Sequence, residues 1–291
     1  MSLSSSKTSL VHDLFVRTAD ENYVTARWCA GNRLDTDFSW LAVHALEKYM
    51  KAVLLLNGHS SKKNGHDIVQ LYAQIKDTAG SLLPEVLTKP EDLDTANWLD
   101  RSATSFIQHL LNQGNADNRY LIYGYNTRRE DLYMLDQMVF VVQRLICPLD
   151  ERAIRSHFAA APTLTHRELL TRQPDYYGRL YMPLDCLIAT TEDSPARTTA
   201  LNLNLWFAPT DFQHTPERNG SSSHHPVIVR RVLDPLGSDD PREAAQGIEV
   251  AHWLFDNVVI PGYHANVERR SGVARQITEA INSAQAKHGL P

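Results

Sequence analysis

The chain has 291 residues, a formal net charge of −5, and 43% hydrophobic against 22% charged residues. A globular chain of this length buries roughly 75% of its unfolded surface, enough for one large core or two ordinary ones, so whole-chain disorder, a collagen-like repeat and a small disulfide scaffold are excluded. Residues 1–150 carry 15 basic and 18 acidic side chains and residues 151–291 carry 14 and 16, so neither half is the basic body of a tight non-specific nucleic-acid binder.

Thr18-Ala-Asp-Glu21 has the pattern of a capping box and predicts a helix running to about residue 31. The strongest helical pattern covers 36–57. There Phe38, Leu41, Ala45, Tyr49, Val53 and Leu56 recur every three or four residues. His44, Glu47, Lys48 and Lys51 form the opposite stripe, and Gly58 ends the helix. The polar segment 59–65 reads as a mobile loop.

A third helix is expected from His66-Asp67, carrying Ile68, Leu71, Tyr72 and Ile75. Lys89-Pro90-Glu91-Asp92 predicts the opening of a fourth, through Trp98, Phe106, Ile107 and Leu110 to Gln113, with Pro near its first position and acids in its first turn. Thr127-Arg-Arg-Glu130 reads as a capping box opening a fifth, with Leu132, Leu135, Met138, Val139, Val142 and Leu145 on its apolar face and Pro148 beyond it. Five amphipathic helices with short loops predict an antiparallel bundle over 17–148.

Beyond residue 150 the composition shifts. Short helices are expected at 150–161 and 165–172. The alternation in Ala200-Leu-Asn-Leu-Asn-Leu-Trp-Phe reads as a half-buried strand, with 184–191 and 227–233 as partners. Asp240-Pro241-Arg-Glu243 opens a helix to about 259, and a last helix covers about 267–287. The predicted fold class is therefore mainly α: a helical bundle followed by a small α+β region over 150–291, with strands near 184–233.

The longest aliphatic run, Ala52 to Leu56, is far short of the ~20 residues that span a bilayer, so no membrane association is expected. The first ten residues are Ser-rich without an apolar stretch, so no leader is expected. Cys29, Cys147 and Cys186 are odd in number and widely spaced, which fits reduced thiols and a cytoplasmic setting.

Residues 17–148 resemble the HEPN family of small helical bundles. The likeness lies in Trp40-Leu-Ala-Val-His-Ala-Leu-Glu-Lys-Tyr-Met-Lys-Ala-Val-Leu-Leu-Leu-Asn-Gly58, followed by Gly65-His-Asp-Ile-Val69. The family pattern is an Ala-x-x-Glu-Lys-x-Leu-Lys-Ala helix, a Gly turn, then His-Asp-Leu. Trp28 and the region of Arg119-Tyr120 also fit. The resemblance implies a bundle, a homodimer, and RNA or nucleotide as ligand. It also implies metal-independent RNA cleavage in members that carry Arg, four to six residues, then His at the start of the last helix. A His can move the proton of the 2′-OH or the leaving oxygen, and an Arg fork stabilises the charged phosphorane, so no cofactor or metal is needed. Some members work beside a nucleotidyltransferase, or in defence and toxin–antitoxin settings.

At that place this chain reads Arg119-Tyr-Leu-Ile-Tyr123-Gly-Tyr125. Arg119 and the Gly-Tyr ending are kept, but Tyr123 stands where His is expected, and a phenol is a poor base at neutral pH. Arg119 and Tyr123 are the candidate catalytic pair. Arg119, Tyr125, Arg128, Arg129 and His66 are the candidate phosphate or nucleotide contacts. For His66 the plainer alternative is a helix cap, and for Arg128-Arg129 it is a solvated surface. Arg152 with His157, and Arg218 with His224 or His225, also match the loose Arg–His spacing. With 21 Arg and 13 His, about three such pairs arise by chance, so the spacing alone carries no weight. Asp211, His214, His224 and His225 could converge on a metal, which would make a metalloenzyme a third reading, but they lack metal-ligand spacing and read as a solvated loop, so no metal is expected. No Gly-rich phosphate loop, Gly-x-Ser-x-Gly elbow or HxE…CxxC set is present. Two functions stay open: an RNA- or nucleotide-binding protein with a weakened nuclease motif, and a non-catalytic module that docks a partner protein.

Overall fold

A computed structural model describes residues 3–89, 98–115, 126–153, 163–173, 228–260 and 262–291. Among these residues the protein is mainly helical. In chain order the elements are α1 (Leu3–Val11), α2 (Arg17–Gly31), α3 (Asp35–Leu56), α4 (Ile68–Ala79), β1 (Val86–Leu87), β2 (Arg101–Ser102), α5 (Ala103–Gln113), α6 (Arg129–Arg144), α7 (His166–Arg172), α8 (Asp234–Gly237), α9 (Pro241–Asn257) and α10 (Gly272–His288). They fall into two compact units, one of Phe15–Asn57 with His66–Thr215, the other of Met1–Leu14, Gly58–Gly65 and Pro216–Pro291. The division does not follow the shift in composition near residue 150. Each unit instead joins pieces that are distant along the chain.

In the first unit α3 is the central helix, packed by α2, α4, α5 and α6. A helix with neighbours on every side is apolar almost all round, and Phe38, Ala42, Ala45, Leu46, Tyr49, Met50, Val53 and Leu54 are all buried. A polar triad ties three helices together inside this core. The Tyr49 hydroxyl donates to Asp20 Oδ1 at 2.6 Å, and Gln143 Nε2 donates to Tyr49 Oη at 2.8 Å and Asp20 Oδ1 at 3.1 Å. Tyr49→Phe deletes the middle of this triad while keeping the ring. It is expected to cost about 1–2 kcal/mol of stability in urea unfolding, with native helix content retained.

Several starts differ from the sequence-based expectation. At Thr18 there is no capping box, because the backbone is already helical at Val16 and the Thr18 hydroxyl donates back to the Phe15 carbonyl at 3.2 Å. The cap of α4 is Asp67, whose carboxylate accepts the Val69 and Gln70 N–H groups at 2.9 and 3.0 Å, so His66 is not the cap. The fourth helix does not reach back through Trp98. Val86↔Ser102 and Leu87↔Arg101 pair antiparallel, which holds the chain extended until Ser102 caps α5 by accepting the Ser105 N–H. Residues 90–97 lie outside the described residues.

For α6 the cap position is Arg128, not Thr127, and no capping box forms, because an arginine side chain cannot accept; Asp131 alone holds the start by accepting the Arg128 N–H at 2.8 Å. Around Asp150 there is no helix start. Arg152 forms an isolated antiparallel bridge with Thr165, and Thr165 with Glu168 makes the capping box of α7 at the expected place. Residues 154–162 lie outside the described residues.

In the second unit, the expected strand over 227–233 is helical where it is described. Val229–Leu233 is a π-helical turn leading into α8. The physical reason is a stripe at helical spacing: Ile228, Val232 and Leu236 are all buried. The expected strands at 184–191 and 200–207 lie outside the described residues. α9 is capped by Asp240, with Pro241 at its first position as the sequence implies. α10 starts at Gly272, after a 3₁₀ turn at Val267–Arg269 that occupies the beginning of the expected 267–287 helix.

Segment 59–65 is an anchored part of this unit, not the polar mobile loop expected. Ser61 and Asn64 are buried, Lys62 Nζ donates to the Phe255 carbonyl at 2.8 Å, and the same ammonium lies 4.4 Å from the centre of the Tyr263 ring.

Candidate functional site

The polar stripe of α3 is not a solvated face. Glu47 sits one turn from both His44 and Lys51, and its residue is only 5% exposed. Its carboxylate receives Lys51 Nζ at 2.6 Å and His66 Nδ1 at 3.0 and 3.1 Å, while His44 Nδ1 stands 3.4 Å away. Burial by itself would raise the Glu47 pKa. Hydrogen bonds from His44, Lys51 and His66, with the Lys51 charge, overcome it and bring the carboxyl down to about 2.

A carboxylate can only accept, so each imidazole facing Glu47 presents an Nδ1–H to it and turns Nε2 elsewhere. The His66 side chain is 82% exposed, so its outer edge is open to a ligand. The His44 and His66 ring centres are 6.3 Å apart and nearly perpendicular, and Trp40 stands edge-on to His44 at 4.2 Å. The result is a surface histidine held in one orientation by a buried anion, with a second histidine and an indole beside it.

A second buried carboxylate organises the start of α6. Asp131 is 1% exposed, has His109 Nε2 at 3.1 Å and the Arg101 guanidinium at 3.5 Å, and accepts the Arg128 N–H. Just upstream, the Thr127 hydroxyl donates to Asp35 Oδ1 at 2.7 Å, and the Asn126 N–H donates to Gln113 Oε1 at 2.7 Å. Gly114 lies directly against the Ser39 backbone. Both chain ends that flank residues 116–125 are therefore fastened to the first turn and a half of α3 and to the end of α5.

Of the candidates raised by the sequence, His66 is brought onto Glu47. Arg128 is exposed at the cap position of α6, and Arg129 is the first residue of that helix. Arg152 is exposed in its bridge with Thr165. Arg119, Tyr123, Tyr125, His157, Arg218, His224, His225, Asp211 and His214 lie outside the described residues. Sequence reasoning passed over Asp131 with Arg101 and His109, because residues spread over 30 positions gave no local pattern. The signal for Glu47 was present: four polar side chains on one stripe of a helix that is otherwise apolar beyond its first turn and a half.

Among the described residues, no group of His, Cys, Asp and Glu could hold a metal ion, and no helix is long and apolar enough to cross a membrane. Burial pushes the Cys29 thiol up to about 11, with the Asp37 charge adding to it, and the Cys147 thiol up to about 12 against the pull of Arg167. Neither is a thiolate nucleophile at neutral pH. Cys186 lies outside the described residues. Compared with known proteins, the chain matches no family model, no curated protein and no solved structure.

Proposed function

We propose that this chain is a HEPN-like homodimeric protein that binds RNA or a nucleotide, with His66 as a phosphate contact on the first unit. The observation that carries this is the exposed His66 fixed on buried Glu47. When the ring is protonated, His66 keeps Nδ1–H on Glu47 and turns Nε2–H outward, a charge-assisted hydrogen-bond donor for a phosphate oxygen. Trp40 and His44 next to it are flat side chains of the kind on which nucleobases stack. Arg119 enters the proposal through the resemblance of Arg119-Tyr-Leu-Ile-Tyr123-Gly-Tyr125 to the HEPN motif.

The test is fluorescence anisotropy of several single-stranded RNAs with the full chain at low salt, together with cleavage in EDTA. His66→Ala and Arg119→Ala are each expected to weaken binding about tenfold, and the wild-type affinity is expected to fall as salt rises. Cleavage in EDTA that disappears in Arg119→Ala marks a live metal-independent nuclease. Binding without cleavage marks a nucleic-acid-binding module. Absence of RNA and nucleotide binding by the wild type overturns the proposal and leaves a module that docks a partner protein.

A further inference from the structure

The second unit holds a cavity of about 580 Å³ whose wall includes Arg230, Arg231, Asp240, Arg242 and Glu243. That volume is in the range that accommodates a small-molecule ligand. Its charges are unevenly satisfied. Arg230 and Arg231 share one oxygen of Asp13, at 3.0 and 2.8 Å, so two guanidinium groups lean on a single carboxylate. Arg242 is exposed, and its guanidinium has no partner among the described residues.

The two acids of the wall already have local donors. Asp240 Oδ1 accepts the Arg242 N–H at 2.9 Å as the cap of α9, and Glu243 Oε2 accepts the Ser238 hydroxyl at 2.7 Å. The positive end of the 17-residue α9 dipole opens beside the same arginines and adds to their field. Pro235, Gly247 and Val250 supply an apolar part of the wall.

We propose that this cavity is a binding site for a phosphate monoester of a small hydroxylated molecule. The arginines fit the phosphate, since a guanidinium fork addresses two of its oxygens at once. The remaining carboxylate oxygens of Asp240 and Glu243 accept hydroxyl donors from the body of the ligand. Inorganic phosphate then binds weakly, because it engages only the arginine side of the site.

Isothermal titration of the full chain at low salt, with ribose 5-phosphate and with inorganic phosphate as probes, tests this. Ribose 5-phosphate is expected to bind about tenfold more tightly than phosphate. Arg242→Gln, which removes no side-chain hydrogen bond or ion pair among the described residues, is expected to weaken it about tenfold. Arg231→Gln is expected to weaken it as well, and His66→Ala to leave it unchanged, which separates this site from the proposed RNA contact. No binding of either probe at 10 mM (about a hundredfold above ordinary metabolite affinities) overturns the proposal, as does undiminished binding by folded Arg242→Gln.

Discussion

Glu47→Gln is expected to lose about 3 kcal/mol of stability at neutral pH and to lose much less in acid. The carboxylate is buried, and Lys51, only 14% exposed as a side chain, ends on it. Removing its charge strands the ammonium in a desolvated place and releases the imidazole of His66. The direction with pH follows from the folded value of about 2 against an ordinary 4.5. A carboxyl held below its unfolded value binds protons more readily in the unfolded chain. Its stabilisation is complete above about 4.5 and is lost as pH falls towards about 2. Urea midpoints of wild type and variant at pH 7, 4.5, 3 and 2 measure this. The gap between the two proteins should be widest at pH 7 and close towards pH 2. A gap that is the same at every pH assigns the loss to packing, not to the charge.

Gly114→Ala is the second large effect expected, about 3 kcal/mol, at the upper end for an overpacked core position. A Cβ at residue 114 would lie well inside contact distance of the Ser39 carbonyl and 2.8 Å from Val43 Cγ2. The obstacle is mostly backbone of the central helix, so no rotamer change relieves it. α5 must move away from α3, or its last turn must unwind. The same step pulls on the chain just before residues 116–125. The substitution is therefore expected to weaken RNA binding, if Arg119 contributes to it, as well as to lower the thermal midpoint. Gly58→Ala is the matched control. It also replaces a glycine after a helix, at a positive φ of 80°, but nothing lies within 4 Å of the added methyl. Its cost is confined to backbone strain of about 1–2 kcal/mol. Equal losses for the two variants would show that the Gly114 approach to Ser39 is not tight.

The helices of the bundle were legible because a helix writes its buried face at a fixed period. Phe38, Ala45, Tyr49 and Val53 were placed in the core by spacing alone and are buried, while Leu41 and Leu56, placed there by the same spacing, are half-buried. The α7 helix over 165–172 and the α9 cap at Asp240 were legible too, the latter because a cap is a local contact between residues three apart or fewer. The start of α5 was shifted for the opposite reason. At α5, pairing with Val86 and Leu87, fifteen residues upstream, decides where the extended chain ends. At 228–233 two arginines masked the buried stripe of Ile228, Val232 and Leu236, and a β-branched run read as a strand.

The candidate site divides in the same way. The mainly helical character, most of the α3 core and the place of His66 after a turn beside a helix start could be read from the residues alone. Period and local hydrogen bonding carry that information. The burial of Glu47, the reach of His66 back 19 positions to it and the gathering of Arg101 and His109 by Asp131 came from packing between distant segments. The physical reason is desolvation. Whether a carboxylate on a helix is a solvated charge or a buried anion depends on what packs over it, and that is set by residues far away in the chain.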